Sequence, residues 1–582
     1  MRSPKWKLCL ALQFLIISIS GKIVSSALLC SEDDRAALLS FKAGIVKDTT
    51  GILSSWRALD CCSGAWEGVT CNPKSGHVIG LQLQSAAGSS VFVMKGILSP
   101  ALGSMKFLET MIISGMKIAG NIPESFSNLT GLKQLYLEDN LLDGKIPASL
   151  GSLHSLRYLS LSGNKLRGQL PPSLATLKSL VQLTVSRNLL TGSIPSSFIN
   201  PSLQVLDLSN NLFSGKLPSF SSQFRNLSYI DLSNNQFSGE IPISLCYLPS
   251  VSSINLNHNK LTGKIPDQIS NLKSLSSLSI ANNSLTGTIP ESLAKLSNLW
   301  LLNLSSNGLR DPLPGSLSKG LPSLSSVDLS YNNLQLGKIP DWLRTKKLTS
   351  LNLAGCNIKG NLPIFKQPDT LGSLDLSKNS ITGTISNVFA NMTSLQTLKL
   401  SNNMIITNIS EIILPEILSS LDLHSNQLFG SVSILLQKSS LRELDLSNNK
   451  ISDKLSEFKE QLYLKSINLS RNRITGQIPS TVSRLTSLER LDLSRNLIKG
   501  SIPETVGSMR SLNWLDLSNN GLTGKIPQSF TMLENIRHVN FRSNRLCGEI
   551  PQRRPFNAFK PVAYAGNLCL CGQPLPPCKK KQ

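Results

Sequence analysis

The chain has 582 residues, a length that suits either three or four globular domains or one solenoid whose core grows with each repeat. Charged residues are 16% and aromatic residues 5%, while leucine, serine and asparagine are abundant, which excludes a disordered polyampholyte and an aromatic-rich sandwich. The formal net charge of +23 favours acidic partners and does not bear on the fold.

The first 27 residues have the parts of a secretory signal peptide. MRSPKWK is basic, LCLALQFLIISIS is a short apolar run, and Ser25 and Ala27 are the small residues of a cleavage site. The alternative, an uncleaved membrane anchor, needs about 20 apolar residues. We therefore predict a signal peptide at 1–27. Since no comparable apolar run follows, we expect a secreted product of the extracellular space or cell wall, with no transmembrane span of its own.

The cysteines cluster at the two ends of the chain. Cys9 leaves with the signal, and only Cys246 and Cys356 lie in the middle. The other eight are Cys30, Cys61, Cys62, Cys71, Cys547, Cys569, Cys571 and Cys578. Because oxidising compartments favour disulfides, we predict that both ends are cross-linked.

Between the cysteine clusters, the pattern L-x-x-L-x-L-x-x-N-x-L repeats every 23 to 25 residues, as in leucine-rich repeats. We count 19 repeats from Met116, a degenerate first position, to Asn544, with a weaker opening strand VIGLQLQ before them. The repeated asparagines are Asn140, Asn164, Asn188, Asn211, Asn235, Asn259, Asn283, Asn307, Asn332, Asn379, Asn403, Asn426, Asn449, Asn472, Asn496, Asn520 and Asn544.

Each L-x-L stretch predicts a short parallel strand with its leucines inward, and the strands stack into one concave sheet roughly 90 Å long. The asparagine that follows is expected to satisfy buried backbone groups on both sides. Cys356 fills the one empty position as a small buried group. It lies more than four repeats from Cys246, near 20 Å, which is too far for a disulfide, so we predict two free core thiols.

Most repeats continue as L-x-G-x-I-P, as in LTGKIPDQI, and the chain has CSEDDRAALLSFKAGI with SSWRALDCCSGAWEGVTC at one end and NRLCGEI with NLCLCGQPLPPC at the other. These motifs resemble those of plant extracellular leucine-rich repeat proteins: receptor-like proteins, receptor kinase ectodomains and polygalacturonase-inhibiting proteins. The inhibitors have fewer repeats than this chain. The expected fold is an α/β solenoid, a right-handed curved superhelix with a concave parallel sheet, a second lateral sheet and disulfide-stapled caps.

The resemblance also implies the disulfide pairs Cys30–Cys61, Cys62–Cys71, Cys547–Cys569 and Cys571–Cys578, with Trp56 and Trp66 packed near the first two. We expect an N-terminal cap at 28–77, about 19 to 20 repeats at 78–546, and a C-terminal cysteine cap with a basic tail at 547–582.

None of the five histidines has the spacing of a metal-ligand motif: His77, His154, His258, His424 and His538. The nearest approach to a catalytic group is Asp422, His424 and Asp445 on neighbouring strands. However, aspartate recurs at the same L-D-L position in Asp207, Asp231, Asp328, Asp375, Asp492 and Asp516, so it belongs to the repeat. We predict no enzyme activity, no metal site and no cofactor.

Binding is therefore expected from the concave surface, where aromatic and arginine side chains favour protein contacts. In the first eight repeats these residues, which we predict as the ligand-binding face, are Tyr136, Arg157, Tyr158, Arg187, Tyr229 and Trp300. The alternative is that any solenoid exposes some such residues.

Seven N-x-Ser/Thr sequences predict N-glycosylation: Asn128, Asn226, Asn282, Asn303, Asn391, Asn408 and Asn468. Asn303 and Asn468 fall between paired strand leucines or isoleucines, so glycans there are expected to block the concave face and to leave Tyr136 to Trp300 open.

Two further features leave alternatives open. Between residues 383 and 456 the I-P element is replaced four times, which predicts a reshaped lateral sheet and is either a docking patch or ordinary drift. After loss of the signal the net charge is about +19, which favours an acidic wall polymer such as pectate or reflects only a well-solvated surface.

The sequence thus predicts a secreted, non-catalytic recognition protein that binds a protein or peptide partner at the plant cell surface, in receptor-like signalling or defence. A membrane receptor kinase is a candidate partner, and nucleic acid is not expected. The alternative is a direct inhibitor of microbial polygalacturonase.

Overall fold

The structure, a computed structural model, describes residues 29–578 except 58–59, 85–92, 197, 199, 221–222 and 461. The predicted signal peptide at 1–27 and the terminal KKKQ lie outside the described residues.

The described residues form one long concave sheet, because the L-x-L segments are too short to stand alone and bury their leucines by stacking on neighbours. Leu206, for example, is buried and pairs in parallel register with Leu183 and Ile230. Among the described strands of this concave sheet, only the first is antiparallel to its neighbour. In the described part of the chain the 21 strands are Val69–Cys71, Val78–Gln84, Thr110–Ser114, Gln134–Tyr136, Tyr158–Ser160, Gln182–Thr184, Val205–Asp207, Tyr229–Asp231, Ser253–Asn255, Ser277–Ser279, Leu301–Asn303, Ser326–Asp328, Ser350–Asn352, Ser373–Asp375, Thr397–Lys399, Ser420–Asp422, Glu443–Asp445, Ser466–Asn468, Arg490–Asp492, Trp514–Asp516 and His538–Asn540.

A ladder of asparagines closes the turns after these strands. The amide of Asn235 donates to the carbonyl oxygens of Leu208, Leu232 and Ser233 at 3.0, 3.2 and 3.1 Å. Its carbonyl oxygen accepts from the Phe213 amide at 3.0 Å, so one side chain satisfies four backbone groups. The asparagine ladder predicted from the sequence is confirmed.

Two positions of the ladder are special. The thiol of Cys356 lies 3.4 Å from the Leu329 carbonyl oxygen in the place of the missing asparagine, as expected. Beyond Asn544 the ladder continues to Asn567, whose amide donates to Phe541 at 3.0 Å and whose carbonyl oxygen accepts from Leu546 at 3.1 Å. This additional asparagine, which was not predicted from the sequence, lies within the C-terminal cysteine segment.

The predicted lateral strands are also present, and among the residues that the structure describes they form separate short sheets of two to five strands rather than one continuous sheet. The lateral strands in the described residues are Ile45–Asp48, Met94–Ile97, Lys117–Gly120, Leu141–Leu142, Arg167–Gly168, Leu189–Gly192, Leu212–Lys216, Gln236–Glu240, Lys260–Thr262, Thr286–Gly287, Gly308–Leu309, Lys359–Asn361, Ser380–Thr382, Lys499–Ser501, Gly521–Gly524, Arg545–Glu549 and Cys569–Cys571. The longest stretch of described chain without a lateral strand runs from Thr382 to Lys499 and contains the repeats that lack I-P. Isolated bridges such as Asn408–Phe429 remain there, so the predicted local change is confirmed.

Helix Glu32–Ala43 belongs to the N-terminal cap, and most of the other helices are short turns that return the chain to the next strand. The α-helices are Glu32–Ala43, Asp341–Thr345 and Ser433–Leu436. The 3₁₀ helices are Ile52–Ser55, Pro100–Ser104, Glu124–Asn128, Ala148–Ser152, Pro172–Thr176, Ile243–Tyr247, Asp267–Asn271, Glu291–Lys295, Gly315–Ser318, Pro368–Thr370, Ile409–Glu411, Ser480–Arg484, Glu504–Ser508, Gln528–Met532, Phe556–Ala558 and Pro561–Ala563.

Both ends of the core are covered by disulfide-linked caps. The four pairs are those predicted: Cys30–Cys61, Cys62–Cys71, Cys547–Cys569 and Cys571–Cys578. At the N-terminal end Trp56 stacks on Trp66 with ring centroids 5.2 Å apart. At the C-terminal end the buried Tyr564 hydroxyl donates to the Phe556 carbonyl oxygen at 2.7 Å. Cys246 and Cys356 are buried and free, as predicted.

Candidate ligand-binding face

The concave face is organised as columns of side chains. In each three-residue parallel strand the middle residue is buried in the core and the first and third residues point to the other side of the sheet, and in-register pairing places equivalent residues about 4.8 Å apart. Tyr158 thus lies beside Gln182, and Asp207 lies beside Asp231. The outward-facing residues thus form two columns, which we call the first and the third after the strand position of their residues. The side chains in these columns decide what the face can bind.

Three of the six predicted binding residues form one cluster. Tyr136 and Tyr158 lie on adjacent strands, and the Arg157 guanidinium lies 5.7 Å from the Tyr158 ring centroid. Burial, and then the neighbouring Glu138 and Tyr158, raise the pKa of Tyr136. The Tyr136 phenol is therefore a neutral hydrogen-bonding group near the Arg157 cation.

The side chain of Arg187 already forms an ion pair within the protein. Its guanidinium lies 2.9 Å from the carboxylate of Asp139, two repeats earlier, and reaches it over Gly163. Both side chains are more than half exposed, so the ion pair contributes little to stability and orients the guanidinium instead.

Tyr229 and Trp300 lie apart from that cluster. Three strand spacings, about 14 Å, separate Tyr229 from Tyr158, and three more separate it from Trp300. Burial, and then Asp231 and Asp207, raise the pKa of Tyr229 to about 12. Trp300 is 47% exposed just before the Leu301–Asn303 strand. The six residues therefore occupy four separate places on the face: the cluster, Arg187, Tyr229 and Trp300.

The middle of the face is an open polar floor. A depression of about 310 Å³ is lined by small hydroxyl side chains of the first column, such as Ser350 and Ser373, and by acids and amides of the third. Asn352 donates to Asp328 at 3.1 Å across neighbouring strands. This floor offers hydrogen bonds along its length with little steric obstruction.

The group Asp422, His424 and Asp445 is held by the hydrogen bonds of the repeat. Its ligand atoms lie within 4.8 Å of one another. However, the Asn402 amide donates to His424 Nε2 at 2.9 Å, so Nδ1 carries the proton and donates to Asp422 at 2.7 Å. Asp445 accepts from Ser447 at 2.7 Å and from Asn468 at 2.9 Å. Metal binding or base catalysis would have to displace these bonds.

The glycosylation sequences differ in exposure. Asn128, Asn226, Asn282 and Asn391 are exposed, whereas Asn303, Asn408 and Asn468 are half-buried. Asn303 and Asn468 lie on the concave sheet, and each side-chain carbonyl accepts from the serine of its own sequon. Whether any of these sites carries a glycan stays a prediction.

An aromatic stack that was not predicted from the sequence lies at the C-terminal end of the face. Arg490, Trp514 and His538 occupy the first column of three successive strands. The Arg490 guanidinium lies 4.3 Å from the Trp514 ring centroid, and the His538 ring stacks on Trp514 at 3.6 Å. Burial lowers the pKa of His538. The three residues hold the same position, the third, in the segments LERLDL, LNWLDL and IRHVNF. This shared position could have predicted that they lie side by side.

Two observations concern the chain as a whole. In the described residues no helix has both the length and the apolarity that a membrane span requires. Models described as leucine rich repeat match residues 108–166, 178–309, 323–361, 370–392 and 439–522, and one described as leucine rich repeat N-terminal domain matches residues 31–72.

Curated relatives match over local segments. The DNA damage-repair/toleration protein DRT100 of Arabidopsis thaliana is 33% identical over 135 residues, which are 22% of this chain and 36% of the relative. Receptor-like protein EIX1 of Solanum lycopersicum is 34% identical over 180 residues, which are 24% of this chain and 17% of the relative. The matched segments thus span well under half of either relative.

Solved structures match over nearly the whole chain. The ectodomain of the receptor kinase GASSHO1/SCHENGEN3 from Arabidopsis thaliana, solved with CASPARIAN STRIP INTEGRITY FACTOR 2, gives a TM-score of 0.73 at 30% identity, covering 92% of this chain and 64% of that one. The Arabidopsis receptor kinase HAESA, solved with the peptide hormone IDA and the co-receptor SERK1, gives 0.56 at 30% identity, covering 93% and 98%. The chain belongs to the leucine-rich repeat family, and it is homologous to plant receptor-like proteins and receptor kinase ectodomains.

Proposed function

We propose that this protein is a secreted, non-catalytic recognition module that binds a peptide or protein ligand on its concave face, in receptor-like signalling or defence. The observation that carries this proposal is the long in-register face, where exposed arginine and aromatic side chains stand on a rigid hydrogen-bonded sheet. Such a surface presents side chains that are already fixed in position, so binding does not lose free energy to the ordering of mobile loops.

The ligand-contacting part proposed is the first eight repeats, with the Arg157–Tyr158 pair and Tyr136 at its centre and Tyr229 and Trp300 as more distant contacts. Glycans at Asn303 and Asn468 are part of this proposal, because they would cover the strands beyond Trp300. HAESA and GASSHO1/SCHENGEN3, each solved with a peptide or protein factor, support a similar use of this fold.

The proposed signalling partner is a membrane receptor kinase. HAESA was solved with a co-receptor as well as a peptide hormone, and by analogy a second receptor would bind this chain once its ligand is in place. Secretion through the signal at 1–27 is part of the same proposal.

A pull-down from wall and membrane fractions tests the proposal. The tagged full chain is expressed in a plant host, its mature N-terminus is sequenced, and proteins and peptides that co-purify are identified by mass spectrometry. We expect a mature start near residue 28 and recovery of a peptide together with a receptor kinase. Retention of the chain inside the cell, or recovery of neither class, would contradict it.

A second candidate is direct inhibition of polygalacturonase, together with binding to acidic wall polymers such as pectate. It is favoured by exposed basic side chains on or beside the lateral strands between residues 141 and 264. These are Lys145, Lys165, Arg167, Lys216, Lys260 and Lys264, against Asp143 and Glu240. Loss of polygalacturonase activity at stoichiometric protein would support this candidate, and unchanged activity would exclude it.

A further inference from the structure

A depression of about 410 Å³ lies at the C-terminal end of the concave face, and three exposed arginines line it: Arg471, Arg495 and Arg542. We call it the arginine basin. Asp492 and Asp516, the last residues of two neighbouring strands, also line it. It lies two residues beyond the Arg490–Trp514–His538 stack on the same strands.

The carboxylates of the basin are already hydrogen-bonded. Asp492 accepts from the Ser494 amide at 3.1 Å and from its hydroxyl at 2.7 Å. Asp516 accepts from the Ser518 amide at 2.9 Å and from Asn540 at 3.0 Å. Within the described residues, the ion pairs join none of the three basin arginines to a carboxylate. Arg187, by contrast, has Asp139.

The surrounding segment is strongly basic. Residues 471–554 contain eleven arginines and two lysines against six carboxylates, and the rest of the chain contains only ten arginines. The basin therefore lies in a positive local field, and its guanidinium groups are the donors best suited to a carboxylate.

We propose that the arginine basin binds a side-chain carboxylate of an acidic peptide that crosses the C-terminal end of the concave face. This proposal rests on the proposed function, since it assigns a second contact region to the same ligand class. Guanidinium groups bind carboxylates through paired, charge-assisted hydrogen bonds. The neighbouring Trp514 and His538, fixed by stacking, form a rigid wall against which the next peptide residue packs.

A peptide fits this region better than a polyuronate does. Asp422, Asp445, Asp492 and Asp516 follow one another, with Asn468 between, in the third column of the sheet. A polyuronate carries a carboxylate on every sugar. A polyuronate with one carboxylate in the basin would therefore place its next carboxylates beside these aspartates, and the like charges would repel. A peptide with a single acidic residue avoids that repulsion.

The test selects a displayed library of random 12-residue peptides on the full mature chain. The most enriched peptide is synthesised with its acidic residues intact and with each replaced by the matching amide. Its affinity is measured for the wild type and for the basin variant Arg471→Gln/Arg495→Gln/Arg542→Gln. The matched control is Arg510→Gln/Arg553→Gln/Arg554→Gln, which removes the same charge at exposed positions outside the basin. Trigalacturonate is the polysaccharide probe.

We expect the selected peptides to be acidic. Their affinity should fall about tenfold or more in the basin variant and should change little in the control variant. The amide peptide should lose a similar factor on the wild type and nothing further on the basin variant. Equal losses in both variants, or selected peptides without acids, would overturn the basin and leave the proposed function standing. Trigalacturonate binding that depends on the basin while peptide binding does not would also overturn it. Recovery of no peptide by the wild type contradicts the proposed function itself, and the basin with it.

Discussion

The guanidinium of Arg187 is held 2.9 Å from the carboxylate of Asp139, although a full repeat lies between them, because Gly163 leaves the space over which the two side chains meet. Equivalent turn positions elsewhere hold residues such as Asn234 at φ 53°. The turn therefore accepts side chains at positive φ, and Gly163, at φ 70°, is required by the ion pair rather than by the turn.

Gly163→Ala is expected to lower local stability by about 1–2 kcal/mol, because a Cβ there meets the Asp139 carboxylate and alanine disfavours positive φ. Hydrogen exchange of amides in residues 134–190 measures the effect. Asp139→Ala alone should change stability by no more than about 0.5 kcal/mol, because the pair is exposed. In the double variant Asp139→Ala/Gly163→Ala, the change at Gly163 should lower stability by less than it does in the wild type. Strict additivity would show that the two positions do not interact.

The free thiols are expected to be unreactive in the folded protein. Burial raises the pKa of Cys246 to about 11, and burial, with Asp328 and Asp311, raises that of Cys356 to about 12. Because the thiolate is the nucleophile, iodoacetamide at pH 8 should label neither. In guanidinium chloride without reductant, mass spectrometry should find both modified. Labelling of the native protein would contradict the structure.

The C-terminal disulfides should stabilise the end of the solenoid locally. Cys547–Cys569 joins residues 22 apart and Cys571–Cys578 joins residues 7 apart, so the first closes the longer loop. Replacing Cys547 and Cys569 by serine should lower the opening free energy of residues 538–578 by about 2–4 kcal/mol. Hydrogen exchange in these residues should therefore be faster. Replacing the other pair, the control, should have a smaller effect. Because repeats contact only their neighbours, exchange in residues 253–328 should stay unchanged.

His538 should make the last repeats sensitive to acid. Its pKa is lowered by burial and by Arg490, against the opposing effect of Asp516 and Asp492. The unfolded chain, with a histidine pKa of about 6.5, therefore takes up the proton first. The stability contribution is full above that pH and is lost as the pH falls below it. Hydrogen exchange at pH 7 and pH 5 should show this loss in the wild type and less of it in His538→Phe. Equal pH dependence in both would contradict the assignment.

The sequence was sufficient for the strands and the ladder because both depend on local spacing, whereas the disulfide pairs of the caps were predicted from the resemblance to plant extracellular leucine-rich repeat proteins. Leucines at fixed offsets define the strands, and one asparagine per turn defines the ladder. Asn567 was missed because its repeat has lost the L-x-L pattern and keeps only Asn567-Leu568. Arg187–Asp139 spans two repeats and depends on side-chain rotamers, which spacing does not fix. The Arg490–Trp514–His538 stack was accessible from register alone, and the six predicted binding residues occupy four separate places along the first eight repeats.

The most direct test of the central claim places a glycan on the concave face. Gln182→Asn creates Asn-Leu-Thr within the Gln182–Thr184 strand, between the Tyr158 strand and the Val205 strand. Lys295→Asn creates Asn-Leu-Ser on the exposed outer helix Glu291–Lys295 and is the matched control. Once mass spectrometry confirms both glycans, binding of the peptide or protein captured by the wild type is compared. We predict loss of binding in Gln182→Asn and full binding in Lys295→Asn. Full binding by both would show that the ligand does not use the concave face.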